Sequence, residues 1–125
     1  MTEKNLKSTL MILGFAAVVI GAFGAHGLRD ILDPHQKEIY EKGVHYQFFH
    51  VLAGWLVLRT GSIAARRSAL FFILGVLLFS GSLYLLATAP FLGLPMRWLG
   101  PLTPIGGVCF LLGWAFAFID NFREA

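Results

Sequence analysis

The chain has 125 residues, which fits a single domain, and 57% of them are hydrophobic whereas only 14% are charged. An average soluble domain carries about 25% charged residues, so this composition predicts a membrane protein. The net charge of +3 comes from Lys and Arg residues scattered over the polar connections. Because nucleic-acid-binding proteins gather their basic residues on one face, no nucleic-acid partner is predicted. Cys109 is the one cysteine in the sequence, which excludes an intramolecular disulfide and a cysteine-based zinc site.

Four apolar runs are long enough to cross a bilayer as helices, since a hydrocarbon core needs roughly 17–25 apolar residues. We predict membrane spans at about residues 8–28, 44–60, 68–89 and 99–119. The predicted fold is therefore all-α: residues 1–125 form one integral membrane domain, a bundle of four transmembrane helices.

The first span ends in a glycine-rich segment that contains a histidine. Small residues recur along this span at intervals of three and four, at Gly14, Ala17, Gly21 and Gly24. Such a seam lets a second helix pack backbone to backbone in lipid. His26 follows the seam at the predicted outer end of the span, where its ring needs a polar partner from another helix.

The second helix has a start signal at Asp33-Pro34-His35-Gln36. Asp33 is in the N-cap position, Pro34 is in the first helical position and Gln36 can complete a capping box. An interfacial amphipathic helix, about residues 34–43, is predicted to lead without a break into the second span.

The first turns of the second span are the most polar part of the predicted bundle. They carry Tyr46, Gln47 and His50. Tyr46 and His50 share one helix face because they are four residues apart. Ser80 and Tyr84 have the same spacing in the third span, which predicts a second polar face.

The third span is predicted to lie between a short turn, residues 61–68, and a loop, residues 89–95, which contains two prolines. The fourth span begins with Thr103, which stands between two prolines. Gly106 and Gly113 then provide a second seam of small residues for helix packing.

The distribution of positive charge predicts the orientation in the membrane. Basic residues on the side of the two termini are Lys4, Lys7, Arg59, Arg66, Arg67 and Arg123; those on the other side are Arg29, Lys37, Lys42 and Arg97. Because cytoplasmic segments carry the excess of Lys and Arg, both termini are predicted to be cytoplasmic. The first span resembles a secretory signal, but we expect an uncleaved anchor because its removal would reverse this charge bias.

With this orientation, polar residues from all four spans meet in the outer half of the bilayer. The predicted cluster consists of His26, Tyr46, Gln47, His50, Tyr84 and Thr103. Polar groups in lipid must find partners inside the bundle, so we expect these side chains to hydrogen-bond one another.

Several segments resemble the signature segments of a known family of small membrane proteins. They are Gly21–Leu28, Tyr46–His50, Gly81–Tyr84, Thr103–Gly107 and Gly113-Trp114. In this order, and over essentially the whole chain, they are similar to the domain of unknown function 423, also called uncharacterised protein family 0382. That family includes bacterial inner-membrane proteins and resembles the eukaryotic transmembrane protein 256. The resemblance implies a four-span protein of the bacterial inner membrane and brings no catalytic residues with it.

We expect the polar cluster to be structural, because hydrogen bonds between its members would fix the packing of otherwise apolar helices. The protein would then be non-enzymatic, without catalytic residues, metal or cofactor. As an accessory or interaction subunit it would contact the lipid bilayer and either a second copy of itself or another membrane protein. The glycine seams or the outer loop would provide the contact surface.

Three alternatives use the same side chains. A small transport or proton-relay bundle would use the histidines, which titrate near neutral pH. A haem or quinone site would hold its cofactor between His26 and His50. An intramembrane hydrolase would pair Ser80 or Ser82 with His50, although the sequence lacks the G-x-S-x-G pattern of many serine hydrolases.

Overall fold

The computed structural model describes residues 1–124 and is helical throughout, apart from short connections. The helices in chain order are α1 (Glu3–His26), α2 (Pro34–Val57), α3 (Ile63–Gly75), α4 (Gly81–Leu92), α5 (Met96–Leu99) and α6 (Leu102–Glu124). A π-helical turn, Val76–Ser80, joins α3 to α4, so that these two form one long helix, Ile63–Leu92. The all-helical prediction is confirmed for the described part of the chain.

Three of the long helices are long and apolar enough to cross a membrane: Glu3–His26, Ile63–Leu92 and Arg97–Arg123. Helix α2 is not among these three, because charged residues fill its first turns and polar residues its middle. By length and composition, three helices are therefore candidate membrane spans. Helix α2 is a fourth long helix that contains both polar and apolar residues.

The start of α2 has the predicted capping geometry. The Asp33 carboxylate accepts a hydrogen bond of 2.8 Å from the Gln36 backbone N–H. In return, the Asp33 backbone N–H donates to the Gln36 side-chain oxygen over 2.9 Å. From Pro34 one helix runs without a break to Val57, which covers residues 34–43 and most of the predicted span at 44–60.

The third long helix is longer at both ends than the sequence predicts. Its first residue is Ile63 because Ser62 caps the helix, accepting 2.9 Å from the Ala65 backbone N–H. At the other end, Pro90 lies inside the last turn, and Gly93 ends the helix with a left-handed φ of 65°. The predicted turn at 61–68 and the predicted loop at 89–95 are therefore largely helical. The π-helical turn was not predicted, since one extra residue in a turn leaves no hydropathy signal.

Helix α2 and the long helix Ile63–Leu92 form the centre of the bundle, with α1 packed mainly on α2 and α6 mainly on α3. Only 11% of the apolar stretch of α1 and 17% of that of α6 are buried inside the bundle, whereas 44% of the apolar stretch within Ile63–Leu92 is buried. The outer helices therefore present most of their apolar surface outwards.

The glycines of both predicted seams face other helices of the same chain. A Cβ atom on Gly21 would lie 3.3 Å from Val44, and one on Gly24 would overlap the Tyr40 ring. On α6, a Cβ atom on Gly106 would overlap the backbone of Phe79, and Gly113 faces Phe72. The expectation that these seams provide a partner surface is therefore wrong, because the bundle itself occupies them.

The two ends of the bundle differ in what they contain. The first end, which we call the terminal end, holds the start of α1, the α2–α3 turn and the end of α6. There Glu3 pairs with Lys7 over 2.6 Å and with Arg66 over 3.9 Å. The opposite end, which we call the loop end, holds the connections at residues 27–33 and 93–101.

Candidate functional site

Gln47 is the polar centre of the bundle, and only 2% of its surface is exposed. Its side-chain nitrogen donates to the backbone oxygen of Leu13 over 2.7 Å. Its side-chain oxygen accepts from the Tyr84 hydroxyl, also over 2.7 Å. One amide thus links α1, α2 and α4, and its donor and acceptor atoms are both used.

Two further hydroxyl groups bind backbone carbonyls near this amide. Tyr40 donates to the Ile20 oxygen over 2.6 Å, and its ring lies against Tyr84 with centroids 5.2 Å apart. Ser80, the last residue of the π-helical turn, donates to the Gly43 oxygen over 2.7 Å. Both bonds connect neighbouring helices, so these hydroxyls fix the position of one helix against the next.

His50 is buried and has a partner for each ring nitrogen. The indole N–H of Trp114 donates to His50 Nε2 over 3.2 Å. Since an indole nitrogen can only donate, Nε2 carries no hydrogen and the imidazole hydrogen is on Nδ1. Nδ1 then donates to the Tyr46 backbone oxygen over 2.7 Å. The ring stacks on Phe110 with centroids 3.6 Å apart, so His50 is a neutral donor and acceptor in an aromatic environment.

Thr103 connects α6 to α4 through Ser82. The Ser82 hydroxyl donates to the Phe79 backbone oxygen over 2.8 Å. Because its single hydrogen is used there, Thr103 must be the donor in the 2.6 Å contact between the two hydroxyls. Neither serine of the hydrolase alternative is directed at the histidine: Ser82 has these partners, and Ser80 has the Gly43 oxygen.

The six residues of the predicted cluster form separate groups rather than one layer. Gln47 and Tyr84 are hydrogen-bonded, Tyr46 stacks beside His50 with ring centroids 5.8 Å apart, and Thr103 bonds Ser82. His26 does not join them: it is exposed as the last residue of α1, where that helix leaves the packed bundle. The arrangement therefore does not favour a cofactor held between His26 and His50.

One buried ionisable group was missed by the sequence analysis. Asp120, which is 4% exposed near the end of α6, accepts a hydrogen bond of 2.8 Å from Thr60. Its other carboxylate oxygen accepts from Ser62, the residue that caps α3. An acidic residue directly after the predicted span at residues 99–119 was the available signal, because a carboxylate at that depth needs donors from its surroundings.

Throughout residues 1–124, no fully buried side-chain nitrogen or oxygen lacks a hydrogen-bond partner. Ser68 illustrates the pattern, since its hydroxyl donates to the Gly113 oxygen over 2.8 Å inside the α3–α6 contact. These hydrogen bonds hold neighbouring helices together, and every fully buried polar side-chain atom of the described residues takes part in one.

Comparison with known proteins identifies the family. The family model described as protein of unknown function (DUF423) matches residues 20–107, from the last turns of α1 to the first turns of α6. The inner membrane protein YgdD of Escherichia coli K12, from uncharacterised protein family 0382, is 39% identical over 127 residues, covering 98% of this chain and 93% of that protein. The chain belongs to this family.

Other relatives in family 0382 are similar over most of their length. A membrane protein from Haemophilus influenzae Rd is 41% identical over 126 residues, with 97% of each chain covered. One from Staphylococcus aureus (strain bovine RF122) is 38% identical over 112 residues, covering 87% of this chain and 88% of the relative. No solved structure matches the chain. The resemblance noted in the sequence is confirmed, and these names give a membrane location.

Proposed function

We propose that this member of family 0382 is a four-span protein of the bacterial inner membrane that acts as a non-enzymatic accessory or interaction subunit. Its internal polar network has a structural role. The observation that carries this proposal is the bridge from Gln47 to both Leu13 and Tyr84, a bond pattern that fixes three helices and uses every polar atom of the amide.

Helix α2 is the fourth span in this proposal, although its composition is mixed. A helix of 24 residues is about 36 Å long, enough to cross a hydrocarbon core. Its polar residues Gln47 and His50 are buried against other helices, whereas Phe49 and Leu52 are 70% and 61% exposed. At these positions α2 would therefore turn its polar side chains to the bundle and its apolar side chains to lipid.

The proposed orientation has the terminal end in the cytoplasm. That end carries Arg66 and Arg67 in the first turns of α3, together with Lys4 and Lys7 in α1. The loop end balances its basic residues with acidic ones at Asp30, Asp33, Glu38 and Glu41. Positive charge concentrated at the terminal end supports cytoplasmic termini.

The hydrogen bonds of the buried polar groups support a structural role rather than a proton-carrying one. Much of the core next to the terminal end is apolar, with Leu6, Leu10, Leu58 and Phe72 among its side chains, and the buried polar side chains there, Ser68 and Asp120, are hydrogen-bonded. A relay needs polar groups in sequence across the membrane, whereas the hydroxyls of Tyr40, Ser80 and Ser82 donate to backbone carbonyls and that of Tyr84 donates to Gln47.

The outer faces of α1 and α6 are the surfaces proposed for a partner. Phe15 on α1 is 74% exposed, and Leu111 on α6 is 70% exposed. The two helices flank opposite parts of the bundle centre, since α1 packs mainly on α2 and α6 mainly on α3. An accessory subunit would dock through one of these faces and leave the other to lipid.

Site-specific photo-crosslinking in growing cells tests the proposal. A photoreactive phenylalanine derivative replaces Phe15, Leu111 or, as a third exposed position, Phe49 on α2. We expect one face to give a discrete cross-linked product, either a second copy or one membrane protein, while the other positions give lipid adducts. Lipid adducts from all three positions would overturn the interaction role.

Proton flux distinguishes the structural role from a relay. Purified protein in liposomes is compared with His50→Ala and with His45→Ala, an exposed neighbour on the same helix. We expect no flux above that of empty liposomes from any of the three proteins. A flux that His50→Ala abolishes and His45→Ala preserves would overturn the structural role.

A further inference from the structure

A cavity of about 580 Å³ opens between α1 and α2 at the loop end. Its volume lies within the usual range of small-ligand sites, about 300–1,000 Å³. Of the polar network described above it shares only Tyr40, and none of the roles described above uses its charged side chains. The side chains that line it therefore need an explanation of their own.

The floor of the cavity is small and apolar. Gly21 and Gly24 on α1 and Val44 on α2 line it, and the two glycines let Val44 and Tyr40 pack closely against α1. Tyr40 lines one side of the cavity. Its hydroxyl donates to the Ile20 oxygen over 2.6 Å, so the ring is held in place. A ligand would meet an aromatic surface there.

The rim carries a surplus of positive charge. Arg29 and Lys37 line the cavity together with two histidines, His26 and His45, whereas Glu41 is its one acidic residue. With both histidines neutral, two cations and one carboxylate leave a charge of +1. The other acidic residues of the loop end, Asp30, Asp33 and Glu38, do not line the cavity, and the ion pairs found within residues 1–124 involve neither Arg29 nor Lys37.

We propose that this cavity binds the phosphate of an anionic phospholipid head group. The inference rests on the proposed four-span arrangement, which puts the loop end at the outer surface of the inner membrane, at the level of the lipid head groups. Guanidinium and ammonium groups are the side chains that bind phosphate oxygens. Basic pockets between membrane helices on the cytoplasmic side bind anionic lipid head groups, and we infer the same chemistry for this cavity at the loop end. The acyl chains would continue along the exposed apolar side chains of α1.

Native mass spectrometry of the full chain in detergent tests this proposal. The protein is titrated with phosphatidylglycerol, with the zwitterionic phosphatidylethanolamine and with inorganic phosphate. We expect a one-to-one phosphatidylglycerol adduct at concentrations that give little phosphatidylethanolamine adduct. Equal retention of the two lipids would overturn the proposal, and so would displacement of phosphatidylglycerol by millimolar inorganic phosphate, which would identify a free anion as the ligand.

Charge variants locate the site. With about a fivefold change for each basic residue near a membrane surface, Arg29→Gln with Lys37→Gln should weaken phosphatidylglycerol binding roughly 30-fold. Glu41→Gln should strengthen it, because the rim loses its one acidic group. The matched control is Arg59→Gln with Arg123→Gln at the terminal end, for which we expect unchanged binding. An equal loss in the control pair would contradict a specific cavity.

Filling the cavity separates shape from charge. Ala25 is exposed and lines the cavity, so Ala25→Trp occupies the volume and leaves every charged group in place. We expect loss of the phosphatidylglycerol adduct with an unchanged unfolding temperature of the lipid-free protein. Retention of the adduct would overturn the proposal. The photo-crosslinking experiment tests the interaction role independently of lipid binding, so a failure of lipid binding alone would leave the interaction role intact.

Discussion

The hydroxyl of Tyr84 donates to the side-chain oxygen of Gln47 over 2.7 Å. The two residues stand on different helices and are 37 positions apart in sequence. Lipid provides little hydrophobic reason for apolar helices to choose one register, because lipid tails are as apolar as the helices themselves. A directional bond between two buried polar groups supplies that choice, and the second bond of the amide, to Leu13, extends it to α1.

Removing one partner of this bond should destabilise the bundle. Tyr84→Phe leaves the Gln47 oxygen without its donor, and Gln47→Leu leaves the Tyr84 hydroxyl without its acceptor. We expect each change to lower the free energy of unfolding by about 1–3 kcal/mol, the usual cost of an unsatisfied buried polar group. Denaturant unfolding in micelles measures the change.

The double variant and a matched hydroxyl deletion control this prediction. Because the double variant Gln47→Leu/Tyr84→Phe strands neither group of the pair, its cost should be less than the sum of the single costs. Tyr46→Phe removes the same hydroxyl from a side chain that is 41% exposed, and we expect only a small effect. Additive costs would contradict a direct bond between Gln47 and Tyr84.

Two adjacent glycines at the start of α6 should respond in opposite directions to alanine. A Cβ atom on Gly106 would overlap the backbone of Phe79, whereas one on Gly107 would meet no atom of the described chain within 4 Å. Gly106→Ala should cost about 1–3 kcal/mol because the helices must move apart. Gly107→Ala should be neutral or should stabilise by up to about 1 kcal/mol through helix propensity. Thermal unfolding of the two variants measures the difference, and similar midpoints would contradict the close contact.

The residues of this contact also show what the sequence could predict. The spacing of Gly106 and Gly113 indicated a packing face, since small residues at helical intervals are visible in one sequence. It did not indicate that Phe79 and Phe72 of the same chain fill that face. Choice of neighbour depends on the three-dimensional order of the helices, which local periodicity does not contain.

The polar residues show the same limit. Asp33 and Gln36 were predicted as a capping box because both partners are local. The partners of Gln47, His50 and Asp120 are distant in sequence or are backbone carbonyls, which every residue carries. The sequence therefore indicated which helices carry buried polar side chains, but it did not indicate which atoms those side chains bind.

Loss of the Asp120 carboxylate should release the end of α6 from the α2–α3 turn. Asp120→Ala removes the acceptor for Thr60 and Ser62, and hydrogen bonds to a charged group contribute about 1.5–3 kcal/mol. We expect faster amide hydrogen exchange at residues 118–123 and at the start of α3, with little change in α1. Asn121→Ala alters the exposed neighbouring residue and is the control. Unchanged exchange in Asp120→Ala would show that the carboxylate does not hold this end together.

His50 should be a single neutral tautomer with its hydrogen on Nδ1. The reason is the donor at 3.2 Å from Trp114 to Nε2, which leaves Nδ1 to donate to the Tyr46 oxygen. Nitrogen-15 NMR of labelled protein distinguishes a protonated from an unprotonated ring nitrogen, and exposed His45 serves as the internal reference. Trp114→Phe keeps an aromatic ring but removes the indole N–H, so the preference for this tautomer should weaken. A wild-type spectrum with the hydrogen on Nε2 would contradict the Trp114 bond and, with it, the assignment of His50 as a packed structural group.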